Sequence, residues 1–87
     1  MKIDIEYNRG ILFVRLSGSL NRKNTYRINN YLIGFIKKHN IKYLVCNLKS
    51  LNDIDISGME SLLNTKCTMK NNKGMMYLCG VSKRMND

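Results

Sequence analysis

The sequence predicts an α/β domain with the element order ββαβαβ, in which a four-stranded mixed sheet carries its helices mainly on one face. Two segments near the N-terminus alternate apolar and polar residues, as half-buried strands do. Two later apolar segments each follow a stretch with helical periodicity, which is typical of parallel strands joined by helices. The 87 residues, 44% of them hydrophobic, suffice for a single domain over residues 1–87.

The first two strands are predicted to form an antiparallel hairpin. Residues 2–7 alternate apolar with charged side chains. Residues 11–16 form the second strand, with Leu12, Val14 and Leu16 on one face. Gly10 can adopt a positive φ in the short connection, so we expect a tight turn there. The segment 17–21 is expected to end the second strand.

Helical periodicity predicts a first helix over residues 23–39. Its apolar stripe is Ile28, Tyr31, Leu32, Phe35 and Ile36. Cations in the last turn complement the helix dipole, and Asn40 is the expected end. A second helix is predicted over residues 58–69, with four side chains facing inward: Met59, Leu62, Leu63 and Cys67.

Two apolar runs complete the predicted sheet. Residues 43–48 suit a central strand, because the run is nearly continuous in apolar side chains. Residues 75–79 suit a further parallel strand. Residues 49–55 are expected to form a loop between the first run and the second helix.

Composition and residue spacing argue against several classes of protein. No apolar run approaches the length of a membrane span, and the N-terminus lacks the apolar core of a signal peptide. Three cysteines without CxxC spacing argue against a disulfide framework or a zinc site. Cys46 and Cys79 lie in apolar runs, where reduced cysteines act as small core residues. These features predict a cytoplasmic protein with no metal and no cofactor.

The net charge of +9 raises nucleic acid as a partner. The cations are, however, spread along the chain without interleaved aromatics, and abundant Lys and Asn also follow from A/T-rich codons. Nucleic-acid binding therefore remains an alternative. No phosphate loop, metal-ligand spacing or Ser/His/Asp set appears, so we expect no enzyme and no catalytic residues.

The segment "IDISGMESLL", residues 54–63, has the pattern of a helix start. Ser57 and Glu60 have the spacing of a capping box, which predicts that Ser57 is the N-cap. Asp53 and Asp55 precede the helix, where the dipole favours negative charge. The segment also follows a predicted parallel strand at its carboxyl end, the edge of an open α/β sheet where binding sites collect.

The element order and two motifs resemble the STAS domain, and more narrowly the bacterial anti-sigma factor antagonists. The first motif is the break before the first helix, with Gly18, Leu20 and Asn21 and with Thr25 nearby. The second is the helix start at residues 55–59, "DISGM", where the family has Asp, then Ser, then Ser or Thr, then Gly and Leu. The resemblance extends from residue 1 to about residue 82.

The resemblance implies a non-enzymatic module that binds an anti-sigma factor, often a serine kinase, and so releases a sigma factor. In the family the kinase phosphorylates the serine directly after the signature aspartate. Here that position is Ile56, which cannot accept phosphate, so we expect the phosphoserine switch to be missing. Ser57 is the one neighbouring hydroxyl to which phosphorylation could be displaced.

The predicted partner-binding surface is the start of the second helix and the turn before it: Asp53, Asp55, Ile56, Ser57, Gly58, Glu60 and Ser61. STAS domains usually continue into another helix after the last strand, whereas only "VSKRMND" follows the final glycine here. Less cover would expose apolar surface, which predicts a homodimer. The alternatives are a basic nucleic-acid-binding domain and a degenerate self-associating domain.

Overall fold

The N-terminal hairpin forms as predicted. In the computed structural model, which describes residues 1–81, β1 (Lys2–Asn8) and β2 (Ile11–Leu20) pair antiparallel. Arg9 and Gly10 both have positive φ, 52° and 82°, which closes the tight turn between them. The register places Ile3, Ile5 and Tyr7 opposite the helix-facing residues of β2.

The sheet has five strands rather than the four predicted, although the mixed α/β class is confirmed. The strand order is β1-β2-β3-β5, with β3 (Tyr43–Asn47) and β5 (Met75–Cys79) parallel to β2. The additional strand is β4 (Leu51–Ile54), which pairs parallel with the end of β2. The prediction of a loop over residues 49–55 was therefore wrong in part, because β2 runs four residues past its predicted end.

The extension of β2 depends on Gly18. This residue has a φ of 93°, and the register between β2 and β4 shifts directly after it. A residue in the left-handed region bends the strand without ending it, so the apparent break at residues 17–21 is a β-bulge. Leu20 then continues the strand and is fully buried.

The first helix is confirmed, but its middle is a π-helix. It consists of α1 (Thr25–Arg27), a π-helical segment (Ile28–Ile33) and α2 (Gly34–His39) in succession. Its buried stripe is Ile28, Leu32 and Ile36, as predicted, whereas Tyr31 is exposed and does not widen it. The helix ends at Asn40, whose left-handed conformation is the predicted stop.

The second long helix, α3 (Ile56–Asn71), is longer than predicted and buries a different face. The inward residues are Gly58, Ser61, Leu62, Thr65 and Met69. The prediction that Met59, Leu63 and Cys67 face inward was wrong: all three are exposed.

Close approach of α3 to the sheet explains the difference. A Cβ atom on Gly58 would lie 2.7 Å from the carbonyl oxygen of Leu20 and 3.0 Å from its Cγ. Only glycine fits at this contact, so a hydrophobicity pattern that looks for large side chains does not identify Gly58 as inward; Ser61 and Thr65 are the other small residues of the buried face. The hydroxyls of Ser61 and Thr65 donate to the carbonyls of Gly58 and Ser61, at 2.8 and 2.9 Å, so neither is buried without a partner.

The core lies between the helices and one face of the sheet. Leu12, Val14 and Leu16 of β2 meet the stripe of the first helix there, together with Leu44 and Cys46 of β3. The opposite sheet face is open and carries Phe13, Tyr43 and Tyr77, all exposed. Helices therefore cover mainly one face of the sheet, as predicted.

The three cysteines have different environments. Cys46 is buried in the core as predicted, and burial, with a smaller contribution from Cys79, raises the pKa of its thiol to about 12. Cys79 is exposed, so its predicted core position was wrong. It occupies β5 on the open face, which no helix of residues 1–81 covers.

Candidate functional site

The candidate site is the turn from β4 into α3, residues 53–60, which we call the β4–α3 turn. It follows β4 at the carboxyl end of the parallel strands, where loops of open α/β sheets form binding sites. The connection from β2 to the first helix emerges at the same edge, because β2 and β4 are parallel. The two connections therefore lie side by side.

Asp55 holds the turn in place. It is the N-cap of α3, and its Oδ1 accepts from the backbone amide of Gly58 at 2.8 Å. Its Oδ2 accepts from the amide of Arg22 at 3.2 Å, and its own amide donates to the carbonyl of Leu20 at 3.2 Å. One carboxylate thus joins the helix start to the neighbouring loop.

The predicted capping box is wrong. Ser57 lies inside the helix rather than at its N-cap, because α3 begins at Ile56, two residues before the predicted start. Asp competes with Ser as a capping residue and carries a charge that the helix dipole favours. The Ser57 hydroxyl is consequently not the cap, and Glu60 is not the reciprocal acceptor of a box.

Ile56 projects from the first turn of α3. Its side chain is 78% exposed, the highest value among the exposed large hydrophobic residues of the described chain. Asp53, Asp55 and Glu60 are also exposed, and Ser57 is half-buried. Asp53 accepts from the amide of Ile54 at 2.9 Å, which orders the approach to the helix. The turn therefore presents two exposed apolar side chains, Ile56 and the less exposed Met59, among three carboxylates.

Two of the predicted partner-binding residues are buried. Gly58 packs against Leu20, and Ser61 is 3% exposed with its hydroxyl bonded to the carbonyl of Gly58. Gly58 and Ser61 lie on the side of α3 that faces the core, so they support the turn through their packing in the interior. The exposed part of the predicted surface is Asp53, Asp55, Ile56, Glu60 and the half-buried Ser57.

Sequence reasoning missed the neighbouring loop. Arg22 and Lys23 are exposed there, and the Arg22 amide contacts Asp55 directly. Asn24 fixes this loop by accepting from the amide of Asn21 and donating to the carbonyl of Ser19, at 2.9 and 2.8 Å. The available signal was the topology itself, since loops that follow neighbouring parallel strands meet at one edge.

The turn and the adjacent loop expose both apolar and charged side chains. Within residues 1–81 no group of three His, Cys, Asp or Glu side chains is arranged to hold a metal ion. No helix in that range is long and apolar enough to cross a membrane. The exposed groups are Ile56, Met59, three carboxylates and the two cations of the adjacent loop, a set that can make both apolar and ionic contacts.

Comparison with known proteins identifies the fold and the family of the chain. The chain is 29% identical over 82 residues to an anti-sigma F factor antagonist of Paenibacillus polymyxa, an alignment that covers 94% of this chain and 70% of the relative. Its fold superposes with a TM-score of 0.83 on the anti-sigma factor antagonist SpoIIAA, solved in unphosphorylated and phosphorylated forms. That match has 21% identity and covers 98% of this chain and 78% of SpoIIAA.

A putative anti-sigma factor antagonist from Thermotoga maritima has the same fold, with a TM-score of 0.88 at 11% identity. The match covers 97% of this chain and 72% of that protein. The profile of the STAS domain family matches residues 2–87, nearly the whole sequence. The chain therefore belongs to the STAS domain family.

Proposed function

We propose that the chain acts in the cytoplasm as an anti-sigma factor antagonist: a non-enzymatic module that binds an anti-sigma factor of the serine-kinase type and thereby releases a sigma factor. The observation that carries the proposal is the exposure of Ile56 on the β4–α3 turn. The relative from Paenibacillus polymyxa, named as an antagonist of an anti-sigma factor, supports the class of partner.

The turn is suited to docking because it is rigid before a partner arrives. Asp55 bonds to the amides of Gly58 and Arg22, so the backbone that presents Ile56 is already fixed. Preorganisation lowers the entropy lost on association, and one well-placed apolar anchor can supply much of the binding energy. The complementary surface would hold an apolar pocket for Ile56 with cations at its rim for Asp53 and Glu60.

We also propose that this binding lacks the phosphoserine switch. Ile56 occupies the position of the phosphorylated serine in the family that the chain resembles, and its side chain has no hydroxyl. Ser57 is the nearest hydroxyl, but it is half-buried, and a phosphate there would lie beside the Asp55 carboxylate. The complex would therefore persist in the presence of ATP.

Binding tests the docking surface. Each serine-kinase anti-sigma factor encoded in the source genome would be purified and titrated with the chain by calorimetry. Wild type should bind one of them, and Ile56→Asp should weaken that affinity by at least about tenfold, because a charge enters an apolar pocket. Tyr31→Asp, at a side chain 57% exposed on the first helix, is the matched control and should bind normally. Equal affinity for wild type and Ile56→Asp would contradict the proposal.

Intact-mass measurement tests the missing switch. The chain would be incubated with the bound anti-sigma factor and ATP, alongside an Ile56→Ser variant that restores the hydroxyl. The proposal expects no added phosphate on wild type and one on Ile56→Ser. A stoichiometric phosphate on wild type, lost in Ser57→Ala, would show that the switch has moved to Ser57.

Nucleic-acid binding remains the second candidate, and the distribution of charge favours one location for it. The edge of the sheet opposite the β4–α3 turn gathers cations that are scattered in sequence: Arg9, Lys37, Lys38, Lys42, Lys70 and Lys73. DNA binding that weakens steeply as the salt concentration rises, and that is lost when Lys70 and Lys73 are replaced by uncharged residues, would support this function. DNA binding that is absent or insensitive to salt would exclude it.

A further inference from the structure

An open apolar groove of about 330 Å³ lies between α3 and β5. Leu48 and the β5 residues Met76 and Leu78 form its floor, and Met59 and Leu63 of α3 form one wall. Among residues 1–81, Lys66 is the one charged side chain in its lining. Met59, Leu63 and Leu78 are 41%, 57% and 47% exposed, so large apolar side chains lie in contact with water there.

The groove is bordered by an unpaired strand edge. Within residues 1–81, β5 pairs only with β3. The Met75 amide donates to Lys42 and the Cys79 carbonyl accepts from Leu48, so the odd-numbered residues of β5 direct their backbone groups toward the β3 side. The alternate residues Met76 and Leu78 therefore direct theirs toward the free edge. The strand contains neither a charge nor a proline that would protect such an edge.

We propose that two copies of this chain associate through this edge, with β5 pairing antiparallel to β5 of the second copy across a two-fold axis at Tyr77. Met76 then lies opposite Leu78 of the second copy, and their outward amides and carbonyls complete four hydrogen bonds. Two Tyr77 residues face each other as a non-hydrogen-bonded pair. The two sheets become continuous, and this goes beyond partner docking at the β4–α3 turn because it uses a different surface.

The same two-fold axis brings the grooves of the two copies together. Identical antiparallel neighbours in one sheet are related by an axis perpendicular to the sheet, so both helical layers lie on the same side. The two α3 helices then run antiparallel on either side of the axis, with Leu63, near the middle of α3, close to its own copy. The exposed apolar walls formed by Met59 and Leu63 face each other, which removes them from water.

Charge along α3 favours a second copy as the occupant. Glu60 is in the N-terminal half of the helix, whereas Lys66, Lys70 and Lys73 lie in or just beyond its C-terminal half. Antiparallel helices related by a two-fold near Leu63 bring Glu60 of each copy to the level of Lys66 of the other. Two opposite-charge contacts thus form by symmetry, which offsets locally the repulsion expected between two chains of net charge +9.

Disulfide trapping tests the strand register. In the full chain carrying Cys67→Ser and Cys79→Ser, Tyr77→Cys places two thiols at a non-hydrogen-bonded antiparallel pair, where Cα atoms lie about 4.5 Å apart, within disulfide range. Tyr43→Cys is the matched control, since Tyr43 is also 51% exposed on the open face but belongs to the interior strand β3. Mild oxidation should give a disulfide dimer with Tyr77→Cys only. Equal cross-linking of both variants would overturn the proposed interface.

Sedimentation of the full chain tests the association itself. Wild type should show a concentration-dependent monomer–dimer equilibrium, and Leu63→Asp should weaken it at least about tenfold. Glu60→Lys and Lys66→Glu should each weaken it several-fold, and the double variant should restore it, because both contacts are re-formed with reversed signs. A monomer at every concentration, or a double variant weaker than both singles, would overturn the proposal while leaving docking at the β4–α3 turn unaffected.

Discussion

The two long helices of this domain carry their apolar side chains in opposite ways. The first helix buries Ile28, Leu32 and Ile36, each 0% exposed, and leaves Tyr31 outside. Helix α3 buries mainly small residues and leaves Met59 and Leu63 exposed. The difference shows that where a helix approaches a sheet as closely as α3 does at Gly58, the inward position is decided by size, and apolar side chains such as Met59 and Leu63 remain available for contacts outside the core.

Truncation of one leucine on each helix should give the largest contrast. Leu32→Ala should lower the free energy of unfolding by about 2–5 kcal/mol, because it removes a fully buried side chain and leaves a cavity. Leu63→Ala, at a position 57% exposed, should change it by less than about 1 kcal/mol. Urea denaturation at low protein concentration measures both, and equal losses would contradict the assignment of the two faces.

Alanine at the two helical glycines should have effects of opposite sign. Gly58→Ala should cost about 1–3 kcal/mol, since the added methyl would lie 2.7 Å from the Leu20 carbonyl oxygen. Gly34→Ala should stabilise by about 0.5–1 kcal/mol, because its Cβ would meet nothing within 4 Å and alanine favours the helix. Thermal denaturation of the pair measures both, and a stabilised Gly58→Ala would rule out the close contact of α3 with β2.

Removal of the helix cap should have a smaller effect. Asp55→Ala should lower the free energy of unfolding by about 1 kcal/mol, because the amides of Gly58 and Arg22 lose their acceptor. Ser57→Ala, two residues later, should change it by less than about 0.5 kcal/mol. The reverse order in denaturant titrations would reinstate Ser57 as the cap.

Labelling of the cysteines should distinguish the buried thiol from the two exposed ones. It should have little effect on stability near neutral pH. Iodoacetamide at pH 8 should label Cys67 and Cys79 in the folded chain and should reach Cys46 only in denaturant, because Cys46 is buried and its pKa is about 12. Mass spectrometry counts the adducts, and three rapid adducts on the folded chain would contradict the buried position of Cys46.

The raised pKa of Cys46 also sets a pH dependence. The folded chain keeps this proton to a higher pH than the unfolded chain, whose cysteine titrates near its ordinary value of 9.0. The contribution to stability is therefore complete below pH 9 and is lost as the pH rises toward about 12. Denaturation across this range should show a smaller decline for Cys46→Ala than for wild type, and identical declines would exclude the contribution.

Strand alternation and the stripe of the first helix were sufficient to predict the fold class and the order of every element except β4. The strand β4 could not be predicted, because its pairing depends on a bulge at Gly18 that carries β2 past an apparent turn. The inward face of α3 was missed for a related reason. The distance between α3 and Leu20, which excludes larger residues at Gly58, is a tertiary property that local hydrophobicity does not encode.

The position of the β4–α3 turn was predicted better than its detailed geometry. A helix start after a parallel strand indicated the carboxyl edge of the sheet, and the structure has the turn at that edge with Ile56 exposed. The choice between Asp55 and Ser57 as the cap could not be made from spacing, since both are good capping residues. The backbone amide of Arg22, which is distant in sequence, donates to Asp55, and this contact favours Asp55 as the cap.

Amide mapping of the complex tests docking at the β4–α3 turn most directly. Backbone amide signals of the labelled chain would be followed by NMR as the purified anti-sigma factor is added. Docking predicts that the amides of residues 53–60 and of Arg22 and Lys23 shift or broaden first, while those of β5 and the C-terminal half of α3 stay unchanged. Perturbation confined to the open sheet face, or to the α3–β5 groove, would contradict it.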